Sequence, residues 1–173
     1  AYDLVSSAYV LEASGALTPL VRNIPGLMLL PRTSSKTVVY STAADGTIAL
    51  YVQKDKKDPE LLPVKTVADK CVWAPKKESI IYCAVPQTLG SGDFINNWLQ
   101  GRIHTSDVWW EINIADNTAQ IFYVSDTPSA NSIDVIQPAT DEDGRYISFM
   151  NGVDLSLWVL RMPVDTATTT LSQ

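Results

Sequence analysis

The chain has 173 residues, 46% hydrophobic and 18% charged, with a formal charge of −6. That is enough chain for one domain with a sizeable core, and too apolar a composition for intrinsic disorder. The basic residues are scattered apart from the KDKKD run at Lys54–Asp58, so the stripe a nucleic-acid surface needs is missing from the sequence, and the run reads as a solvated loop.

No apolar run reaches the ~18 residues that a membrane-spanning helix requires. The longest, Ile24–Pro31, is interrupted by Pro25 and Gly26. The sequence opens without Met and without a signal-like leader, which reads as a mature or excised product.

Taken in order, Ala8–Ala13 has the pattern of a short strand and Ser14-Gly15 that of its turn. The strand lacks an obvious partner upstream, so it is expected to complete something outside the chain or at its other end. Leu27–Leu30 is an apolar run closed by Pro31. After the polar turn RTSSK, Thr37–Ser41 is rich in β-branched residues, Asp45-Gly46 is a hairpin turn, and Ile48–Gln53 is a third strand. Glu60–Leu62 is expected to begin the next edge.

A second unit starts at Lys70. The apolar runs CVWA and IIYCAV flank the turn-rich PKKES, the signature of a β-hairpin. A turn centred on Lys77 places Cys71 opposite Cys83, where a cross-strand disulfide is geometrically feasible. Two reduced cysteines packed in a sheet are the alternative. The pairing-compatible spacing tilts the reading towards an oxidising, extracytoplasmic compartment such as a cell envelope.

LLP, WAP and IQP recur at Leu29–Pro31, Trp73–Pro75 and Ile136–Pro138. Each precedes a polar turn and then VVY, IIYC or YISF; IALYVQK, DVWWEIN and LSLWVLR follow as matching outer strands. The first two prolines lie 44 residues apart and the next two 63, the second interval lengthened by an insertion. A period near 44 with four short strands per unit describes a β-propeller blade. No 11-residue stretch carries a convincing helical period. The expected fold is therefore all-β: about three four-stranded blades plus a leading outer strand, as part of a larger propeller, since closure takes at least about four blades. The divisions are residues 1–20 for the end of a preceding blade, 21–62, 63–124 and 125–163 for three blades, and 164–173 for a polar tail. Self-association into a homo-oligomer would be another way to close the ring.

The succession of apolar-Pro turn, polar turn, inner strand, Asp-Gly-type turn and Leu-Trp/Tyr-Val outer strand resembles the blades of TolB-like, WD-repeat-like β-propellers. The resemblance spans roughly residues 8–163 through three copies. Asp141–Phe149, DEDGRYISF, lies nearest the family's consensus, whereas RTSSK and PKKES lack its Asp-Gly. With its Trp-rich insertion, CVWAP…YCAVP is most similar to uncharacterised bacterial envelope propellers, a likeness that implies no particular chemistry.

The insertion Pro86–Ser106 is the leading contact surface, because loops longer than ~12–15 residues are uncommon and often functional. It holds Asp93, Phe94, Trp98, Arg102 and the only histidine, His104. Aromatic and arginine side chains suit the anchors of a protein interface; alternatively the loop folds over its blade and buries Trp98 as a plug. Its LGSGD is not a phosphate loop, since GxxxxGK[ST] is absent. One histidine without HxH, HExxH or CxxC spacing predicts no metal site, and without a GxSxG elbow no serine triad. No cofactor and no catalytic residue are expected. Asp141–Gly144 reads as a tight turn with Gly144 at positive φ, not as a calcium loop. Of Trp109 and Trp110, one is expected between blades, and Trp158 is expected in the core.

These features predict a non-enzymatic interaction or structural scaffold, whose partner is another protein or the missing blades of a longer chain. The alternative is the accessory propeller of a larger hydrolase or peptidase whose catalytic domain lies elsewhere.

Overall fold

Strand residues that alternate between two apolar layers, rather than between core and water, set the architecture. A computed structural model describes residues 4–55, 57–90, 93–125 and 133–163. The protein is all-β, with four antiparallel sheets. β1 (Val5–Leu11) and β2 (Leu17–Pro25) form a two-stranded hairpin. β3 (Met28–Pro31), β4 (Thr37–Ala44), β5 (Thr47–Lys54) and β6 (Glu60–Leu61) form a four-stranded meander. A second meander contains β7 (Cys71–Trp73), β8 (Ile80–Pro86), β9 (Asp107–Asn113) and β10 (Thr118–Tyr123). The last sheet has β11 (Val135–Thr140), β12 (Tyr146–Asn151) and β13 (Leu157–Arg161).

The sheets are layered in chain order with an apolar core in each gap. Val21 of β2 meets Val38 and Tyr40 of β4 in the first gap. Val39, Leu50 and Val52 meet Ile81, Cys83 and Ile112 in the second. Tyr82, Ala84 and Trp109 meet Val135, Ile147 and Phe149 in the third. The β7–β10 sheet is thus covered on both faces. This is why IIYCAV has no polar alternation: Ile81 and Cys83 point one way, Ile80, Tyr82 and Ala84 the other. Trp109 is buried in one layer and Trp110 packs against the opposite one, as adjacent strand residues must.

Several expectations are corrected. The leading strand has its partner immediately downstream, since β1 pairs with β2 across the Ser14-Gly15 turn. Pro19, Pro25 and two register shifts hid β2 from a period-2 reading. Glu60–Leu61 adds the edge strand of the first meander, Val52 facing Glu60, inside the 21–62 division. A short helix, α1 (Phe94–Leu99), lies inside the insertion, and six residues are too few to fill a periodicity window. Trp158 is 38% exposed, stacking on Phe149 at a sheet edge instead of entering the core. The Asp141–Gly144 turn is as expected: Gly144 has φ 69°, and Asp141 Oδ1 accepts from the backbone N–H groups of Arg145 and Tyr146. The polar tail 164–173 lies outside the described residues.

The hairpin register places Cys71 opposite Cys83, and the two form a disulfide. Closing a loop of this span limits the unfolded chain by about 3 kcal/mol. We expect Cys71→Ala to lose about that much stability in urea titrations under oxidising conditions, and far less relative to the parent in reductant. Equal losses in both conditions would assign the effect to packing.

Candidate functional site

Three charged residues, each placed just before an apolar strand segment, converge behind the insertion. Lys70 ends the 3-10 turn Ala68–Lys70, Asp107 is the first residue of β9, and Asp134 precedes β11. Lys70 is only 1% exposed and both carboxylates are buried. Its Nζ donates to Asp107 Oδ2 and Asp134 Oδ1, each at 2.6 Å, and lies 2.8 Å from Thr105 Oγ1 and 3.1 Å from the Val135 carbonyl. A buried ammonium demands such a surround, because leaving it unpaired in the interior costs several kcal/mol.

The insertion is fastened to this centre. Trp98 Nε1 donates to Asp134 Oδ1 at 2.8 Å, and the indole face lies 4.7 Å from Lys70 Nζ. Thr105 Oγ1 donates to Asp134 Oδ1 at 2.7 Å, and His104 Nδ1 is 3.2 Å from Oδ2. Further hydrogen bonds hold the Asp107 carboxylate and the Asp134 backbone from behind. Val135 N–H donates to Asp107 Oδ2, Asp134 N–H donates to Asn151 Oδ1, and Gly152 N–H donates to the Asp134 carbonyl. Residue 152 has to be glycine: a Cβ there would lie 2.7 Å from Asp134 Oδ2.

The two carboxylates are driven in opposite directions. Burial raises Asp107 above the ordinary carboxylate range despite Lys70 beside it. Burial also acts to raise Asp134, but the Lys70 charge and the hydrogen bonds from Lys70, Thr105 and Trp98 outweigh it and hold that carboxyl low.

Of the residues expected at a contact surface, Phe94 and Trp98 are instead buried in the second core layer, the plug arrangement. Their aromatic area is spent holding α1 down. Asp93, Arg102 and His104 remain exposed around it, with Leu99. The structure therefore unites Trp98 and His104 on Asp134, while Asp93 bonds Asn96 of its own helix. Lys70, Asp107 and Asp134 were missed from sequence because isolated charges 37 and 64 residues apart look like surface. The available signal was a charge directly ahead of each apolar run, in DKCVW, SDVWW and IDVIQ.

Beside the centre, the first strands β3 and β11, the 3-10 turn and the insertion enclose a cavity of about 620 Å³. Asp69, His104 and Asp134 line it with aliphatic residues that include Leu30, Ile136 and Leu155. Among the described residues, no group of three or more His, Cys, Asp and Glu side chains is placed to hold a metal ion. No helix of the described residues is long and apolar enough to cross a membrane. Comparison with protein-family models, with curated proteins and with solved structures finds no match.

Lys70→Met would leave two buried carboxylates uncompensated, and we expect a loss of about 3–5 kcal/mol in urea unfolding. A loss below about 1 kcal/mol would mean the cluster is screened by water. The pH dependence has two opposing parts. Asp134, depressed in the folded state, contributes stability at neutral pH that is lost as pH falls through its folded value. Asp107, raised, contributes stability that is present at acid pH and lost as pH rises through its folded value. Asp107→Asn removes the opposing part, so stability should fall more steeply on acidification from pH 7 to 3 than in the parent. Equal slopes would show that Asp107 does not couple protonation to folding.

Proposed function

We propose that this chain is a set of β-propeller blades of the TolB-like, WD-repeat-like kind, serving as a non-enzymatic protein-interaction scaffold outside the cytoplasm. The observation that carries the reading is the anchoring of the insertion. A surface segment whose Trp98 is hydrogen-bonded into a buried ion cluster presents Arg102, His104 and Leu99 in a fixed arrangement, and preorganisation of this kind lowers the ordering cost of binding. The face-to-face layering of consecutive meanders, with β3 and β11 both against the 3-10 turn, supports the blade arrangement.

The end sheets support the view that the layers continue into further blades or a partner. Leu11 and Leu17 of the hairpin are 70% and 67% exposed, and Leu157 and Val159 of β13 are 73% and 61% exposed. Apolar sheet surface of this kind marks interaction sites. The disulfide is compatible with an oxidising compartment. Lys70 is fully engaged by oxygen acceptors and so is poorly suited to act as a nucleophile or base, which favours binding over catalysis.

Site-specific photocrosslinking in the producing organism tests the reading. A photoreactive phenylalanine analogue replacing Arg102 should give one discrete adduct with another protein, and the same analogue replacing exposed Lys65 should give none. No adduct at residue 102, or the same adducts from both positions, would overturn the insertion as the contact surface.

A further inference from the structure

Apart from the Gln137 carboxamide, which can donate or accept, the polar side chains of the cavity beside Asp134 that remain free to bond are acceptors. An ionised carboxylate only accepts, so in a singly protonated ring the His104 nitrogen facing Asp134, Nδ1, carries the proton. That tautomer leaves Nε2 with its lone pair, on a side chain 36% exposed. Asp69 stands at the mouth on the 3-10 turn; it is exposed, yet crowded enough that desolvation raises its carboxyl above the ordinary range, so its charge is incompletely hydrated. The lining contains no Lys or Arg among the described residues. Lys70 behind Asp134 has its hydrogen-bonding capacity taken up within the cluster.

The remaining walls are mostly apolar, with Trp98 among them. Leu30 comes from β3 and Ile136 from β11, and Leu155 reaches the cavity from the turn before β13. Leu155 is held at φ 59° and Gln137, in the β11 bulge, at φ 52°. Positive φ is uncommon for any residue other than glycine, and such outliers gather where a ligand is held.

We propose that the cavity receives a cationic hydrogen-bond donor on an aliphatic stem, that is, an alkylammonium or alkylguanidinium group. The stem lies along Leu30, Ile136 and Leu155, and the charged head donates to His104 Nε2 and the Asp69 carboxylate. Two sources share this chemistry, a Lys or Arg side chain of a bound protein and a free aliphatic amine. The proposal rests on the insertion being a contact surface, and it specifies what the surface selects.

Amide NMR titration of the intact, oxidised chain tests it, following Gly101, Gly152 and the Trp98 indole N–H. The probes are n-butylammonium, the uncharged n-butanol, the anionic butyrate and the capped peptide acetyl-Leu-Lys-Leu-amide. We expect n-butylammonium to bind at least about tenfold more tightly than n-butanol, from charge-assisted hydrogen bonds, and butyrate not to bind. Asp69→Asn, at an exposed position, should remove about tenfold of that affinity with the disulfide and the amide spectrum otherwise unchanged. His104→Gln should weaken binding as well. Tighter binding of the peptide than of n-butylammonium assigns the site to a protein side chain, and equal binding to a free amine; either supports the proposal. Equal binding of n-butanol and n-butylammonium, stronger binding of butyrate, or an unaffected Asp69→Asn would overturn it. A discrete photocrosslink at residue 102 alongside any of these would retain the scaffold and remove only the cationic selectivity.

Discussion

The ammonium of Lys70, shared between Asp107 and Asp134, is the interaction on which the rest of the molecule depends. It joins the turn before β7, the start of β9 and the start of β11, so one buried charge fixes two sheets and the insertion in a single mutual arrangement. Such a cluster need not be more stabilising than apolar residues of the same volume, because desolvation offsets much of the attraction. Its effect is specificity. Aliphatic layers tolerate small shifts of one sheet across another, whereas an ammonium with four oxygen acceptors, two of them at 2.6 Å, does not.

The same cluster turns an insertion into a rigid feature. A six-residue helix has little stability of its own, and α1 lacks a side-chain cap at its N-terminus. It persists because Phe94, Ile95 and Trp98 add to the core between the second and third sheets, and because Trp98 meets both Asp134 and Lys70. Order in the loop is therefore borrowed from the core. Its exposed residues inherit positions set by groups buried beneath them, which distinguishes them from exposed loop residues such as Lys57 and Asp58.

How much was legible follows from the physics of each signal. The strands of the three meanders could be placed because apolar-Pro steps and polar turns punctuate them, and because a two-sided core leaves an unmixed run such as IIYCAV. The Cys71–Cys83 register was readable because a symmetric hairpin pairs residues equidistant from its turn. β2 was not, since Asn23 at positive φ and two prolines break its alternation. The ion cluster was hidden for a different reason. Its members are distant in sequence, and charge alone does not reveal burial; only the packing of the third sheet against the fourth brings them to one point.

That dependence on packing ties the candidate site to the number of layers. The cavity is walled by β3, β11 and the turn before β7, elements of three separate sheets, and by the insertion of only one of them. Its width is set by how closely the sheets approach at their first strands. The outer sheets, hairpin and β11–β13, leave Leu11 and Leu157 exposed at the two ends of the same stack. Ile147 and Phe149 pack inward on Trp109 while Leu157 and Val159 face out from the same sheet. Asp134 sits at the head of β11 and Gly152 follows the end of β12, leaving no room for a Cβ between them. A displacement of that sheet would move the Asp134 carboxylate directly, and with it the His104 ring and the Trp98 anchor. The placement of the fourth sheet and the shape of the cavity thus meet at one point, the buried ion cluster that bridges Asp107 and Asp134.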